Sequence, residues 1–215
     1  MMTDIILAEG GTIDKYEGDA IIAFWNAPVD HPDHALRAMR AAARCQETLA
    51  AERNRYIEEY GAAPHMRIGV NTGEAVVGNM GSSKRFDYTV LGDAVNLAAR
   101  LEGINKIFGT TILCSENTAR QVPDQLPLRE VGAIRVVGKK TATTVLTTRP
   151  QGYEDEPRFC YGLALFYDGD FLGAKVAFQE LTPHDPLACR YVEICDRFLA
   201  AQPATWDGVI DMTEK

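Results

Sequence analysis

No stretch of this sequence approaches the ~18 consecutive apolar residues of a membrane span. The opening residues, Met1-Met2-Thr3-Asp4, lack the basic region that begins a secretory signal. Positive charge is also short: 22 Lys and Arg face 30 Asp and Glu, a formal charge of -8. That balance excludes the broad basic face of a duplex nucleic-acid binder, although a few local cations suffice for a phosphate-bearing small molecule. The five cysteines (Cys45, Cys114, Cys160, Cys189, Cys195) are odd in number and form no CxxC pair. Neither a disulfide framework nor a zinc knuckle is indicated; the reading is reduced thiols in a cytoplasmic protein.

What is present is ordinary globular material. The 215 residues are 46% hydrophobic and 24% charged, which suits one domain with a small appendage. Residues 2–9 read as a helix end stopped by Gly10-Gly11. "TIDKYEGDAIIAFW" reads as two strands joined at Gly18-Asp19, the second apolar on both faces and so expected inside a covered sheet. From about Pro32 to Tyr60 one helix is predicted, with Leu36, Met39, Ala43 and Leu49 on a common side and Gly61 closing it. "MRIGVNTGEAVVGNMG" gives two strands around a Thr72-Gly73 turn. A loop through Ser82, Ser83, Lys84 and Arg85 leads to the strand "FDYTVL". Asp93 then caps a helix that stops at Gly109. Three more strands and a short helix at Ser115 follow. The irregular alternation, rich in hairpins, predicts an α+β domain on a mostly antiparallel sheet.

After Pro150 the composition changes. "QGYEDEP" reads as a polar linker, followed by a helical hairpin turning at Gly169-Asp170 and a third helix over roughly 185–201. The spacing of Gly169, Ala174, Phe178 and Pro183 resembles a single tetratricopeptide-type repeat, lacking the usual Trp. One such repeat cannot stand alone, so it is expected to pack on the main domain or on a protein partner. Trp206 anchors a docked tail.

The hairpin raises the chemical question. Gly18-Asp19 is a good turn pair in its own right. Yet it belongs to one of three ordered stretches, "GGTIDKYEGDAIIAFWNAP", "RIGVNTGEAVVGNMGS" and "FDYTVLGDAVNLAARLE". Together they resemble the class III nucleotidyl cyclase catalytic domain, over about residues 1–149, with 150–215 as the helical extension. The resemblance implies a ferredoxin-like core, a head-to-tail homodimer and a nucleotide held between the two copies. It implies attack of a ribose 3′-hydroxyl on the α-phosphate, with two Mg²⁺ or Mn²⁺ ions per site.

The resemblance also implies roles for residues. Asp19 matches a metal-binding aspartate; Mg²⁺ takes hard oxygen ligands, usually one or two carboxylates plus substrate phosphates. Asn96 and Arg100 match the pair that orients the ribose and stabilises the transition state, and lie four apart on one helix face. Lys15 and Thr89 match the base-selecting positions. Lysine only donates and a threonine hydroxyl can accept, so Lys15 suits adenine N1 and Thr89 the 6-amino group. ATP is the implied substrate; an acidic residue in place of Lys15 would suit guanine. Lys139, with Arg85 as an alternative, is the candidate for the terminal phosphates.

Two departures from the family pattern stand out. No Phe-Thr follows a first metal aspartate anywhere in the chain, which reads as a catalytic domain missing its first strand and helix. A weakly active or inactive polypeptide is therefore expected, with any membrane anchor or sensor lying upstream. A lysine often found at the position of Val137 is also absent. The alternative is a non-catalytic regulatory module that kept the fold and dimerises.

Overall fold

A computed structural model of the chain describes residues 1–82, 85–124, 126–150 and 152–212, apart from the side chain of Arg85. Helix α1 (Met2–Ala8) leads into the hairpin β1 (Thr12–Glu17) and β2 (Ala20–Phe24). Gly18 supplies the left-handed conformation at the tip, φ +62°, that a tight turn requires. Two helices follow, α2 (His34–Ala51) and α3 (Arg53–Tyr60), where the periodicity suggested one. The break falls at Glu52; α3 buries no residue, so no apolar stripe holds it in line with α2. Gly61 ends α3 in the left-handed region.

Next come β3 (Ile68–Val70), β4 (Val76–Ser82), β5 (Arg85–Leu91) and α4 (Asp93–Phe108). After them lie β6 (Ile112–Ser115), α5 (Glu116–Ala119), β7 (Leu128–Arg135) and β8 (Thr143–Thr148). The chain finishes with α6 (Glu156–Tyr167), α7 (Phe171–Gln179), α8 (Pro186–Ala201) and β9 (Ile210–Asp211). The main sheet has the order β3-β6-β8-β7-β9, parallel at its two outer pairs and antiparallel inside. Hairpins β1-β2 and β4-β5 form separate antiparallel sheets, so the predicted α+β class with mostly antiparallel pairing holds. The strands on either side of Thr72-Gly73 go to different sheets. β2 is half-buried and, among the described residues, pairs only with β1, rather than lying inside a covered sheet. No helix among the described residues is long and apolar enough to cross a membrane.

Alternation along β6 sends Ile112 and Cys114 toward Met39 and Ala42 of α2, and Leu113 to the opposite face. There α4, through Leu101, Ile104 and Phe108, shares a core with the C-terminal helices, through Phe159, Phe166, Phe178 and Tyr191. Helix α4 lies hard against β3. A Cβ on Gly69 would run into the Ala98 carbonyl and the Glu102 backbone nitrogen. The buried Asn105 ties the same two elements, donating to the Ile68 and Leu101 carbonyls at 3.0 and 2.9 Å. Gly69→Ala should therefore lower the unfolding free energy by about 1–3 kcal/mol through overpacking. Gly103→Ala on the exposed side of α4, where an added Cβ meets nothing, should raise it by about 0.5–1 kcal/mol. Urea denaturation of the two variants checks both signs.

The C-terminal extension grips strand β7 along its length. Arg129 donates to Asp185 at 2.8 Å, and both side chains are almost fully buried. Its guanidinium lies 4.0 Å from the Phe159 ring centroid and 4.6 Å from that of Tyr153. Tyr153, in the predicted linker, donates to Asp185 at 2.6 Å, so that stretch is docked. Burial pushes the Asp185 carboxyl up, but the Arg129 and Tyr153 hydrogen bonds outweigh it and leave it below the usual range. Tyr167 donates to Glu130, and Tyr191 to the Val131 carbonyl. Val131 falls where the β7–β8 register shifts, so Tyr191 supplies a partner where the ladder is interrupted. Trp206 donates to the Phe166 and Tyr167 carbonyls at 3.0 and 3.1 Å.

Candidate functional site

The site begins at the start of α4. Asn71, just beyond β3, donates to the Ala94 carbonyl at 2.9 Å and accepts from the Ser115 hydroxyl at 2.6 Å. Thr72 and Thr118 hydroxyls meet at 3.0 Å beside them. This short polar lattice ties the first turn of α4 to the ends of β3 and β6. Asp93 is the first helical residue, with Gly92 as the cap, rather than the N-cap expected from sequence. Its carboxylate pairs with Lys139.

Asn96 and Arg100 lie one turn apart on this helix. Asn96 is exposed and has no side-chain partner among the described residues. Arg100 is half-buried, and its Nη1 donates to the Val137 carbonyl. No other partner holds the guanidinium among the described residues. Val137, Gly138 and Lys139 belong to the turn between β7 and β8. That turn is closed by the Lys139 amide donating to the Val136 carbonyl at 3.0 Å, with Gly138 at φ +79°. Asn96, Arg100 and Lys139 therefore stand together, on one helix face and the turn tied to it. At Val137, where the family resemblance implies a lysine, the chain offers a carbonyl that holds Arg100.

Thr89 lies on β5, three residues before the cap of α4. It is 7% exposed, and its hydroxyl has no hydrogen-bond partner among the described residues. A buried hydroxyl without a partner costs about 1–3 kcal/mol, which suits a position whose partner arrives with a ligand. Lys15 lies on the separate β1–β2 hairpin, exposed. The hairpin rests against β5, with the Phe24 and Tyr88 rings 6.1 Å apart, so the strands carrying Lys15 and Thr89 are neighbours.

Asp14 escaped the reading of the sequence. It is the residue at which the β1–β2 register shifts, its side chain is 3% exposed, and its Oδ2 lies 3.5 Å from the Lys15 ammonium. Its Oδ1 has no partner among the described residues. Only the acidic residue next to Lys15 could have hinted at it, and such neighbours are common on exposed strands.

Asp19 occupies the hairpin tip, exposed and without a partner among the described residues. Among those residues no group of three or more His, Cys, Asp or Glu converges on one point. A lone exposed carboxylate is a hard oxygen ligand of the kind that can share a divalent cation with phosphate oxygens. No hydrogen bond or ion pair joins Asp19 or Lys15 to Asn96, Arg100 or Lys139 among the described residues. The candidates thus form a hairpin set and a helix set. The Arg85 side chain lies outside the described residues.

Residues 9–148 match the family model "Adenylate and Guanylate cyclase catalytic domain". The chain is 38% identical over 149 residues to adenylate cyclase 1 of Rhizobium meliloti, covering 67% of this chain and 22% of that protein. It therefore spans less than a quarter of that relative's length. Among solved structures it resembles the adenylyl cyclase CyaB from P. aeruginosa, with a TM-score of 0.62 and 30% identity over 70% of this chain and 77% of that one. The guanylyl cyclase Cya2 is similar at a TM-score of 0.59 and 34% identity, covering 71% of this chain and 78% of that one.

Proposed function

Because the chain belongs to the adenylate and guanylate cyclase catalytic-domain family, we propose that it builds an adenylate cyclase site, with ATP in a groove shared by two copies. The observation that carries this reading is the α4 face: Asn96 without a side-chain partner among the described residues, Arg100 held by one nitrogen, and Lys139 beside them.

In this reading Lys15 donates to adenine N1, and the unpartnered Thr89 hydroxyl accepts from the 6-amino group. Asn96 hydrogen-bonds the ribose and fixes the 3′-oxygen in line with the α-phosphorus. The O3′–Pα bond forms as the bridging Pα–O bond breaks; the 3′-hydroxyl proton passes to solvent water, and pyrophosphate departs. Arg100 donates to the α-phosphoryl oxygens, whose negative charge grows in the transition state. Lys139 gives up Asp93 for the terminal phosphates. Asp19 of the other copy would hold Mg²⁺ or Mn²⁺, which when bound activates the 3′-hydroxyl and offsets charge on the leaving group.

Division of the site between copies makes a sharp test. Asp19→Asn and Arg100→Ala variants should each be nearly inactive alone. Mixed in equal amounts and allowed to exchange subunits, they should recover about a quarter of the parent rate, since half the twofold dimers carry one intact site. No recovery in a mixture shown to exchange would overturn the shared groove. The outward face of the α6–α7 hairpin, with Tyr161, Leu172 and Val176 exposed, is of the kind a tetratricopeptide-like unit offers a protein partner.

A further inference from the structure

Strand β7 runs directly into the turn that carries Val137 and Lys139, and the end of β7 is held in an unusual way. The β7–β8 ladder stops at the pair Ile134 and Thr143. From there to the turn, β8 contributes no pairing. The backbone partner at that point is β9, from the far end of the chain: Ile134 pairs with Ile210 and Arg135 with Asp211. The Met212 amide then donates to the Arg135 carbonyl at 2.9 Å. Val136, Ile210 and Met212 are all buried in the same core. The Arg135 guanidinium spans the tail, donating to Asp211 at 2.6 Å and Asp207 at 2.5 Å. Hydrogen bonding from Arg135 holds the Asp207 carboxyl below its ordinary range. On its other side the turn touches α4 through side chains, Arg100 to the Val137 carbonyl and Lys139 to Asp93.

We infer that the segment Trp206–Met212 is a positioning element of the site. By pairing β9 with the end of β7 and holding Arg135 between Asp207 and Asp211, it fixes the turn that presents the Val137 carbonyl to Arg100 and Lys139 to phosphate. Arg135 touches no substrate; it acts through the turn. Its two ion pairs are largely exposed, so they add little to global stability. Their effect falls on where residues 136–139 sit. This inference rests on the cyclase reading for its kinetic consequence, though not for its structural one.

The test compares Arg135→Gln, Arg135→Lys and the unsubstituted chain. In Arg135→Gln the backbone amides of residues 136–140 should exchange with solvent about tenfold faster, while those of α4 from Leu101 to Phe108 stay unchanged. The value of kcat/KM for ATP should fall about tenfold, mainly through KM, because Lys139 meets phosphates already present in the bound substrate. Arg135→Lys, which keeps one of the two pairs, should recover part of both effects. Exchange at 136–140 that does not change, or that rises evenly across the domain, overturns the inference. Turnover by the unsubstituted chain, high or low, bears on the cyclase reading alone, and the exchange pattern still decides the positioning role.

Discussion

In the proposed cyclase site, replacing Arg100 by alanine is expected to slow formation of cyclic AMP and pyrophosphate by about 100- to 1000-fold, or about 3–4 kcal/mol of transition-state stabilisation. The geometry explains why so much rests on one side chain. Its Nη1 is held by the Val137 carbonyl, and among the described residues the rest of the fork has no protein partner. The guanidinium is thus fixed on one edge and open on the other. Such a donor costs little to organise when charge builds on the α-phosphoryl oxygens. The loss should fall on kcat, with KM changing far less, because the interaction strengthens only as the new bond forms. Arg100→Lys should fall between parent and alanine: an ammonium keeps the charge but cannot be held at one edge while presenting another. Initial rates with Mg²⁺ or Mn²⁺ across a range of ATP concentrations measure the split. A fall in rate of less than about tenfold would remove Arg100 from transition-state stabilisation.

The second large effect is on stability. Arg129→Ala should lower the unfolding free energy by about 3–5 kcal/mol, because it leaves the Asp185 carboxylate buried without its cation. Packing is lost as well, since the guanidinium fills the space between the Tyr153 and Phe159 rings. The companion experiment separates the two causes. Arg129→Met combined with Asp185→Leu removes both charges and keeps most of the volume, and should recover most of the loss. Acid should mimic part of the single substitution. The Asp185 carboxyl lies below its unfolded value of about 3.9, so its contribution is complete above that pH and is lost as the pH falls through the folded value. Glu156, across from Arg129 at 3.7 Å, works in the opposite sense. Burial raises its carboxyl, so its contribution is present at low pH and is lost as the pH rises through the folded value. Urea unfolding of Asp185→Asn should show a weaker acid dependence than the parent.

Local signals were readable in the chain and long-range ones were not. The Gly18-Asp19 turn, the Gly61 and Gly109 helix ends and the Ser115 cap follow from the conformations those residues prefer, and each appears in the fold. The one-face placement of Asn96 and Arg100 follows from helical spacing. By contrast, β9 has two residues and no alternating pattern, and exists only because β7 offers it an edge. The split between α2 and α3 was hidden because both halves favour helix and only their burial differs. Asn71 stands inside the stretch "RIGVNTGEAVVGNMGS". Its work, holding the first turn of α4, depends on Ser115, 44 positions away. Local pattern points to Lys139 as a cation near phosphate and is silent on its link to Asp93, since that contact spans 46 positions and two separate elements.

The two tryptophans fall in unlike halves of the molecule. Trp25 donates to the Glu9 carbonyl at 3.0 Å, between α1 and the hairpin. Trp206 is stacked edge-on among Phe166, Phe171 and Phe198, with centroids 4.7 to 5.3 Å away. Each indole therefore emits from its own district of the protein. Silencing one by mutation to phenylalanine would turn the other into a private lamp, so loosening at the front of the chain and at its rear could be watched as separate optical events in one cuvette.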